Sequence, residues 1–181
     1  MLIIVDMLND FINKDGALYV PGSEDIVSPI KGLINNSKDQ DEQIILLCDA
    51  HYTNDKEFER FPPHCVFGTK GAEVISEIYD EIGDYNRTYF IPKTRYSGFF
   101  NTDLEEIIKN YNFPATVCGV CTSICVMDTV GGLANRDIPT TVFENSVKDL
   151  PKEAFEGIDM HEASLKRMEV IYNANIVRGK K

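Results

Sequence analysis

No apolar run in this chain approaches the ~20 consecutive residues that a helix spanning a bilayer requires, so membrane insertion is not expected. The opening MLIIVD has neither a basic flank nor a small-residue cleavage site, and no targeting segment is read there. Positive charge is scarce: 18 Lys and Arg stand against 29 Asp and Glu, a formal net charge of −11. A surface tracking phosphates would have to be built against that field, which excludes nucleic acid as an expected partner. The five cysteines are odd in number and lack the small disulfide-dense frame of a secreted scaffold. Cys48, Cys65, Cys118, Cys121 and Cys125 are therefore expected as free thiols in a reducing cytoplasm. Linkers, internal repeats and low-complexity tracts are missing as well. What is present is 181 residues, 43% of them hydrophobic. That length suits one compact domain over 1–181, burying roughly 70% of the surface its unfolded chain exposes.

Short apolar runs alternate with longer segments of helical period. The runs are LIIV at 2–5, IILL at 44–47, TYFI at 88–91, ATVCGV at 115–120, TTVF at 140–143 and NIV at 175–177. Helices are predicted over 23–38, 71–83, 101–112, from Thr122 or Ser123 onward, and over 163–172, several opening with Ser, Asn or Thr as caps. Strands alternating with helices imply βαβ units. The predicted fold class is α/β, a three-layer α/β/α sandwich around a six-stranded, mainly parallel sheet. Two long irregular stretches, 9–22 and 50–69, fit functional loops.

In an open parallel sheet, ligands bind beyond the carboxyl ends of the strands. The residues there are Asp6 after the first run, Asp49 and His51 after the second, Lys93 after the third, and Cys121 and Cys125 after the fourth. The segment CGVCTSICVMDTV raises three readings: metal ligands, a redox pair, or one working thiol. Cys118-X-X-Cys121 has zinc-knuckle spacing, but no second pair follows and Cys118 falls inside a strand, where a redox CxxC does not sit. Cys48 and Cys118 read as inert core residues. Cys125 lies in the first turn of a helix, where free amides and the helix dipole favour a thiolate. With Lys93 and Asp6 beside it, a nucleophile, a cation and a base share one edge. Taken alone, Asp6 could be a cap and Lys93 a solvated strand end.

In DAHYTNDKEFERFPPH, Asp49 and His51 are alternate residues of an extended segment and point to the same side. His64 returns behind the Pro62-Pro63 corner, and Glu57 or Glu59 can add an oxygen. Such a set favours zinc, manganese or iron over calcium. The bland reading is a solvated acidic loop with two histidines. His161 reads as a surface histidine.

Taken in order, IVDMLNDF, the DAH…FPPH segment, KTRYSGFFNTDLE and GVCTSICVMDTV resemble the isochorismatase-like cysteine hydrolases, and within them the nicotinamidases. The resemblance implies Asp6 as general base, Cys125 as nucleophile and Lys93 as the cation that lowers the thiol pKa. It implies one divalent metal, zinc first with iron or manganese as alternatives, on Asp49, His51, His64 and Glu57 in preference to Glu59. Phe11, Phe61 and Tyr96 would sandwich a substrate ring. A cis peptide would fall at Val120–Cys121, with the amides of Cys121 and Cys125 as the oxyanion hole. The implied substrate is a small amide, nicotinamide in the first place and an N-carbamoyl compound in the second. A homo-oligomer is expected by analogy of fold alone. The metal and thiol halves are expected to communicate only through the substrate. Ser123 departs from the pattern, since relatives carry an aspartate at that position.

Overall fold

The structure, a computed structural model, describes residues 1–111 and 113–179. In chain order its strands and α-helices are β1 (Leu2–Val5), α1 (Asn9–Ile12), α2 (Val27–Asp39), β2 (Ile44–Asp49), α3 (Ser76–Ile82) and β3 (Thr88–Lys93). They continue with α4 (Leu104–Ile108), β4 (Ala115–Val120), α5 (Met127–Ala134), β5 (Thr140–Lys148), α6 (Met160–Ile171) and β6 (Asn175–Val177). All six strands pair in parallel, in the order β3-β2-β1-β4-β5-β6. The chain moves outward from β1 through β2 to β3, then returns to the other flank of β1 as β4. That reversal opens a crevice between the carboxyl ends of β1 and β4, where open α/β sheets take their ligands. Among the described residues, no helix is long and apolar enough to cross a membrane.

The central strands β1, β2 and β4 are mostly apolar and buried because both faces of the sheet are covered there. Within β1, Ile3 and Val5 join Ile45, Leu47 and Val117 in a core with α4, α5 and α6. Leu2 and Ile4 face the other way, joining Ile44, Leu46 and Cys118 in a second core with α2 and α3. Each such side chain removed from water contributes roughly 1.5–3 kcal/mol, which fixes the register against a one-residue slip.

Several predicted elements differ in extent: the helix predicted over 71–83 forms only at Ser76–Ile82, the one predicted over 23–38 is α-helical only from Val27, and β2 and β3 run two residues past the predicted 44–47 and 88–91. The helix predicted over 101–112 forms only at Leu104–Ile108, and its last predicted residue lies outside the described ones. Its beginning is diverted into turns: the Thr102 hydroxyl donates to the Gly98 carbonyl and accepts from Leu104 N, the local side-chain bonding that competes with helix. β5 runs on to Lys148, past the polar Glu144-Asn145-Ser146, with its register against β4 shifting between Val117 and Gly119. The last helix starts earlier than predicted, because Asp159 caps it by accepting from Glu162 N at 3.0 Å. Expected Ser and Thr caps are otherwise not used; Ser23, for example, is buried and donates to the Phe11 carbonyl instead.

One glycine is dictated by packing. Gly119 has φ +113°, and a Cβ there would lie 2.0 Å from the Val5 carbonyl oxygen. Only glycine lets β4 approach β1 this closely while the backbone adopts a left-handed φ.

Candidate active site

The first four strands each lead into expected residues, and the parallel register draws them together. Asp49 and Lys93 are direct partners across β2 and β3. Asp6, at φ 52°, turns back so that its Oδ1 accepts from Asp49 N at 2.9 Å. A non-glycine residue held in that region is uncommon and marks a position fixed by its surroundings. Lys93 Nζ lies 2.7 Å from Asp6 Oδ2 and 3.5 Å from Cys125 Sγ, and it also donates to Asp49 Oδ1. All four side chains are buried.

Cys125 stands in a π-helical turn, Thr122–Val126, whose defining bond runs from Val126 N to the Cys121 carbonyl at 3.2 Å. Such turns recur at functional sites. The peptide before Cys121 is cis, as the resemblance implied. No side chain within the turn caps its start. A carboxylate from another strand does: Asp149, beyond β5, accepts from Ser123 N at 2.9 Å.

The electrostatics bear on one expectation. Burial pushes the Cys125 thiol up, while Lys93 pulls it down. Burial therefore opposes the thiolate that the helix start favours. Burial, together with the charge of Asp49, raises Asp6 to about 7 against the pull of Lys93. Burial works against the charge on Lys93, but Asp49 and Asp6 hold the ammonium firmly protonated. A carboxyl group poised near neutrality beside a buried thiol is suited to move its proton. Cys48 and Cys118 behave as inert thiols: burial pushes Cys48 up to about 12 and Cys118 further still.

The second cluster forms as the DAH…FPPH pattern suggested. Asp49, His51 and His64 offer ligand atoms within 4.8 Å of one another. Asp49 Oδ2 is 3.5 Å from His51 Nε2 and 3.9 Å from His64 Nε2, and Glu57 Oε1 is 4.0 Å from His64 Nε2. Glu57 is buried and turned inward, whereas Glu59 is exposed. His64 Nδ1 lies 2.8 Å from the Pro62 carbonyl, which accepts its hydrogen and leaves Nε2 facing the cluster. Burial lowers the tendency of this ring to protonate. His51 Nε2 and Glu57 Oε2 are buried and make no hydrogen bond among the described residues. Two inward imidazole nitrogens, two carboxylates and orphaned atoms between them fit a divalent ion of the zinc type.

Asp49 belongs to both clusters, giving Oδ1 to Lys93 and Oδ2 to the histidines. The metal half and the thiol half are therefore joined through one carboxylate, contrary to the expectation that only the substrate connects them.

A narrow cavity is lined by Asp6, Asp49, Cys125, Phe11, Phe61 and Tyr96, with Cys121 and the metal-side Glu57 and His64. Phe11 and Phe61 stand with ring centroids 5.4 and 6.3 Å from His64. Sequence reasoning missed Leu18, Ile124 and Leu150, which complete the apolar wall. A larger hollow of about 910 Å³ lies outside β3 but reaches only Asp49 among the reacting groups. His161 is not a free surface residue: its Nδ1 lies 2.9 Å from the Thr122 hydroxyl, behind the π-turn.

Comparison with known proteins agrees with this geometry. Residues 1–178 match the family model described as the isochorismatase domain. Among solved structures, the chain is similar to nicotinamidase PncA from Bacillus subtilis at 27% identity and a TM-score of 0.87, covering 97% of each chain. It is similar to a pyrazinamidase of Pyrococcus horikoshii in complex with zinc at 28% identity and a TM-score of 0.85, covering 98% of each. An N-carbamoylsarcosine amidase from Thermoplasma acidophilum aligns at 27% identity and a TM-score of 0.83, over 99% of this chain and 96% of that one.

Proposed function

This chain belongs to the isochorismatase family of hydrolases, an amidohydrolase near the nicotinamidases, and from that premise we propose that it hydrolyses nicotinamide to nicotinate and ammonia. The observation that carries the reading is the buried chain Asp6–Lys93–Cys125, with contacts of 2.7 and 3.5 Å, beside an apolar slot and a set of metal donors. Asp6 takes the Cys125 proton as sulfur attacks the carboxamide carbon. The C–N bond then breaks, and Asp6 returns the proton to the nitrogen, which leaves as ammonia because a free amide anion is too poor a leaving group. The amides of Cys121 and Cys125 hold the oxyanion, and Lys93 balances the negative charge as it passes from Asp6 to sulfur. A water molecule, deprotonated by Asp6, releases nicotinate from the thioester and restores the thiol.

Asp49, His51, Glu57 and His64 would hold the divalent ion, zinc for preference. When bound, it would supply a Lewis acid for the pyridine nitrogen. Phe11, Phe61 and Tyr96 stack on the ring, with Leu18, Ile124 and Leu150 excluding water. Such an enzyme would serve nicotinamide salvage in the cytoplasm.

The second reading, an N-carbamoyl amidase, is favoured by the Thermoplasma neighbour. Against it, among the described residues no lysine or arginine lines the cavity to pair with the carboxylate of an N-carbamoyl amino acid; Arg60 reaches only the Tyr96 hydroxyl at its edge. Ammonia release from nicotinamide, pyrazinamide, benzamide and N-carbamoyl amides decides between them. Fast turnover of both heteroaromatic amides and weak turnover of benzamide, which lacks the ring nitrogen, is the expected outcome. Preference for the N-carbamoyl compounds would replace the reading with its rival.

A further inference from the structure

We propose that Asp55 is the positioning residue of the metal half-site, with one carboxylate orienting two of the four donors and Arg95 holding that carboxylate in place. The inference rests on the metal-binding part of the function proposed above. Asp55 Oδ2 lies 3.1 Å from His51 Nδ1. Its Oδ1 accepts from Glu57 N at 2.9 Å, capping the 3-10 turn Lys56–Glu59 that carries the Glu57 side chain. Arg95 Nη1 donates to both oxygens, at 3.1 and 3.0 Å. The Asp55 side chain is 6% exposed although it sits in a loop, so the arrangement is a built contact.

The chemistry turns on which His51 nitrogen carries the hydrogen. A neutral imidazole can ligate only through the nitrogen that lacks one. Asp49 lies 3.5 Å from Nε2 and, in the absence of an ion, would draw the hydrogen to that side and disable the ligand. Asp55 on the opposite side competes for the hydrogen at Nδ1 and leaves the Nε2 lone pair facing the cluster. Arg95 occupies both Asp55 oxygens, which keeps Asp55 from swinging inward as a ligand itself. Lys93 and Arg95, two residues apart at the end of β3, thus hold the carboxylates at either end of the loop from Asp49 to Asp55. A carboxylate behind a ligating histidine is a recognised means of raising metal affinity. Here the same carboxylate also sets the backbone that delivers a second ligand.

The test is zinc affinity, measured by competition with a chromophoric chelator, and the visible absorption of the cobalt-loaded protein. Asp55→Ala should weaken zinc binding about 10- to 100-fold and alter the cobalt band. Asp55→Asn should lose less, because its one remaining oxygen can serve His51 or the Glu57 amide but not both. Arg95→Ala should weaken binding too, and Glu59→Gln, at an exposed position, should match the parent. The urea midpoint of the metal-free variants separates loss of a ligand arrangement from loss of fold. Zinc affinity in Asp55→Ala within twofold of the parent, with an unchanged cobalt spectrum, overturns the proposal. If Asp55→Ala does not fold, parent-like affinity in both Asp55→Asn and Arg95→Ala overturns it equally. A parent protein that takes up no zinc or cobalt would remove the metal reading itself, whereas a parent that binds while the variants bind as well removes only the role of Asp55.

Discussion

Replacing Lys93 with methionine removes one charge and leaves a side chain of similar length among Asp6, Asp49 and Cys125. At 2.7 Å and an effective dielectric constant of about 20, the Asp6 contact alone is worth roughly 6 kcal/mol of gross attraction. Much of that offsets the cost of burying the ammonium, and removing one member of a buried ion pair costs a net ~3–5 kcal/mol. The loss should depend on pH. In the parent, Asp49 is held below its ordinary range: burial opposes its charge, but Lys93 and His51 prevail. Asp6 sits near 7. With the cation gone, burial and mutual repulsion both favour protonation, so the folded variant retains about one proton more than the parent through the neutral range. A carboxyl whose folded pKa lies above its unfolded value contributes stability at low pH and loses it as pH rises through the folded pKa. The deficit of Lys93→Met should therefore grow by about 1.4 kcal/mol per pH unit, or ~3 kcal/mol between pH 5.5 and 7.5. Urea unfolding of chelator-treated parent and variant at those two pH values measures it. A deficit independent of pH, or one under about 1 kcal/mol at pH 7.5, would refute the view that Lys93 neutralises this pair.

Cys125→Ala should abolish ammonia release while leaving fold and metal content intact, whereas Cys118→Ala should keep turnover and lose about 1 kcal/mol through a small void; substantial activity in folded Cys125→Ala protein would remove the nucleophile. Alkylation of Cys125 by iodoacetamide in metal-free protein should accelerate as pH rises through about 7, since the reactive form needs Asp6 as carboxylate. Asp6→Asn should push that rise to strongly alkaline pH, and an unshifted profile would exclude Asp6 as base. Gly119→Ala should cost about 3 kcal/mol or more, because its Cβ would meet the Val5 carbonyl at 2.0 Å in a left-handed backbone; a thermal melt within 2 °C of the parent would contradict it.

Much of this was legible in the sequence because strand ends announce themselves. β1, β4 and β6 were read to the residue, since each is an apolar run flanked by polar turns. β5 was read short because Glu144-Asn145-Ser146 breaks the apolar pattern while the ladder to β4 resumes beyond it. The reacting residues were legible as an ordered set, each falling just after a strand. Their supports were not: Asp55 pairs with Arg95 across 40 residues and Asp149 with Ser123 across 26, contacts that no local period encodes. The burial that opposes a Cys125 thiolate is illegible for the same reason. A helix start is visible in sequence, but depth of burial is a property of the assembled sheet.

The two-sided use of Asp49 carries a consequence for regulation. Whatever an ion on the histidine side does to the electron density of that carboxylate is felt by Lys93, and through it by the sulfur. Equilibrium coupling is reciprocal, so any factor by which the ion alters proton loss from the thiol is the factor by which proton loss alters affinity for the ion. Chemical capture of the sulfur by an electrophile would then report on metal supply. Protein stripped of the ion would then differ from loaded protein in the rate at which its thiol is alkylated, before any substrate arrives.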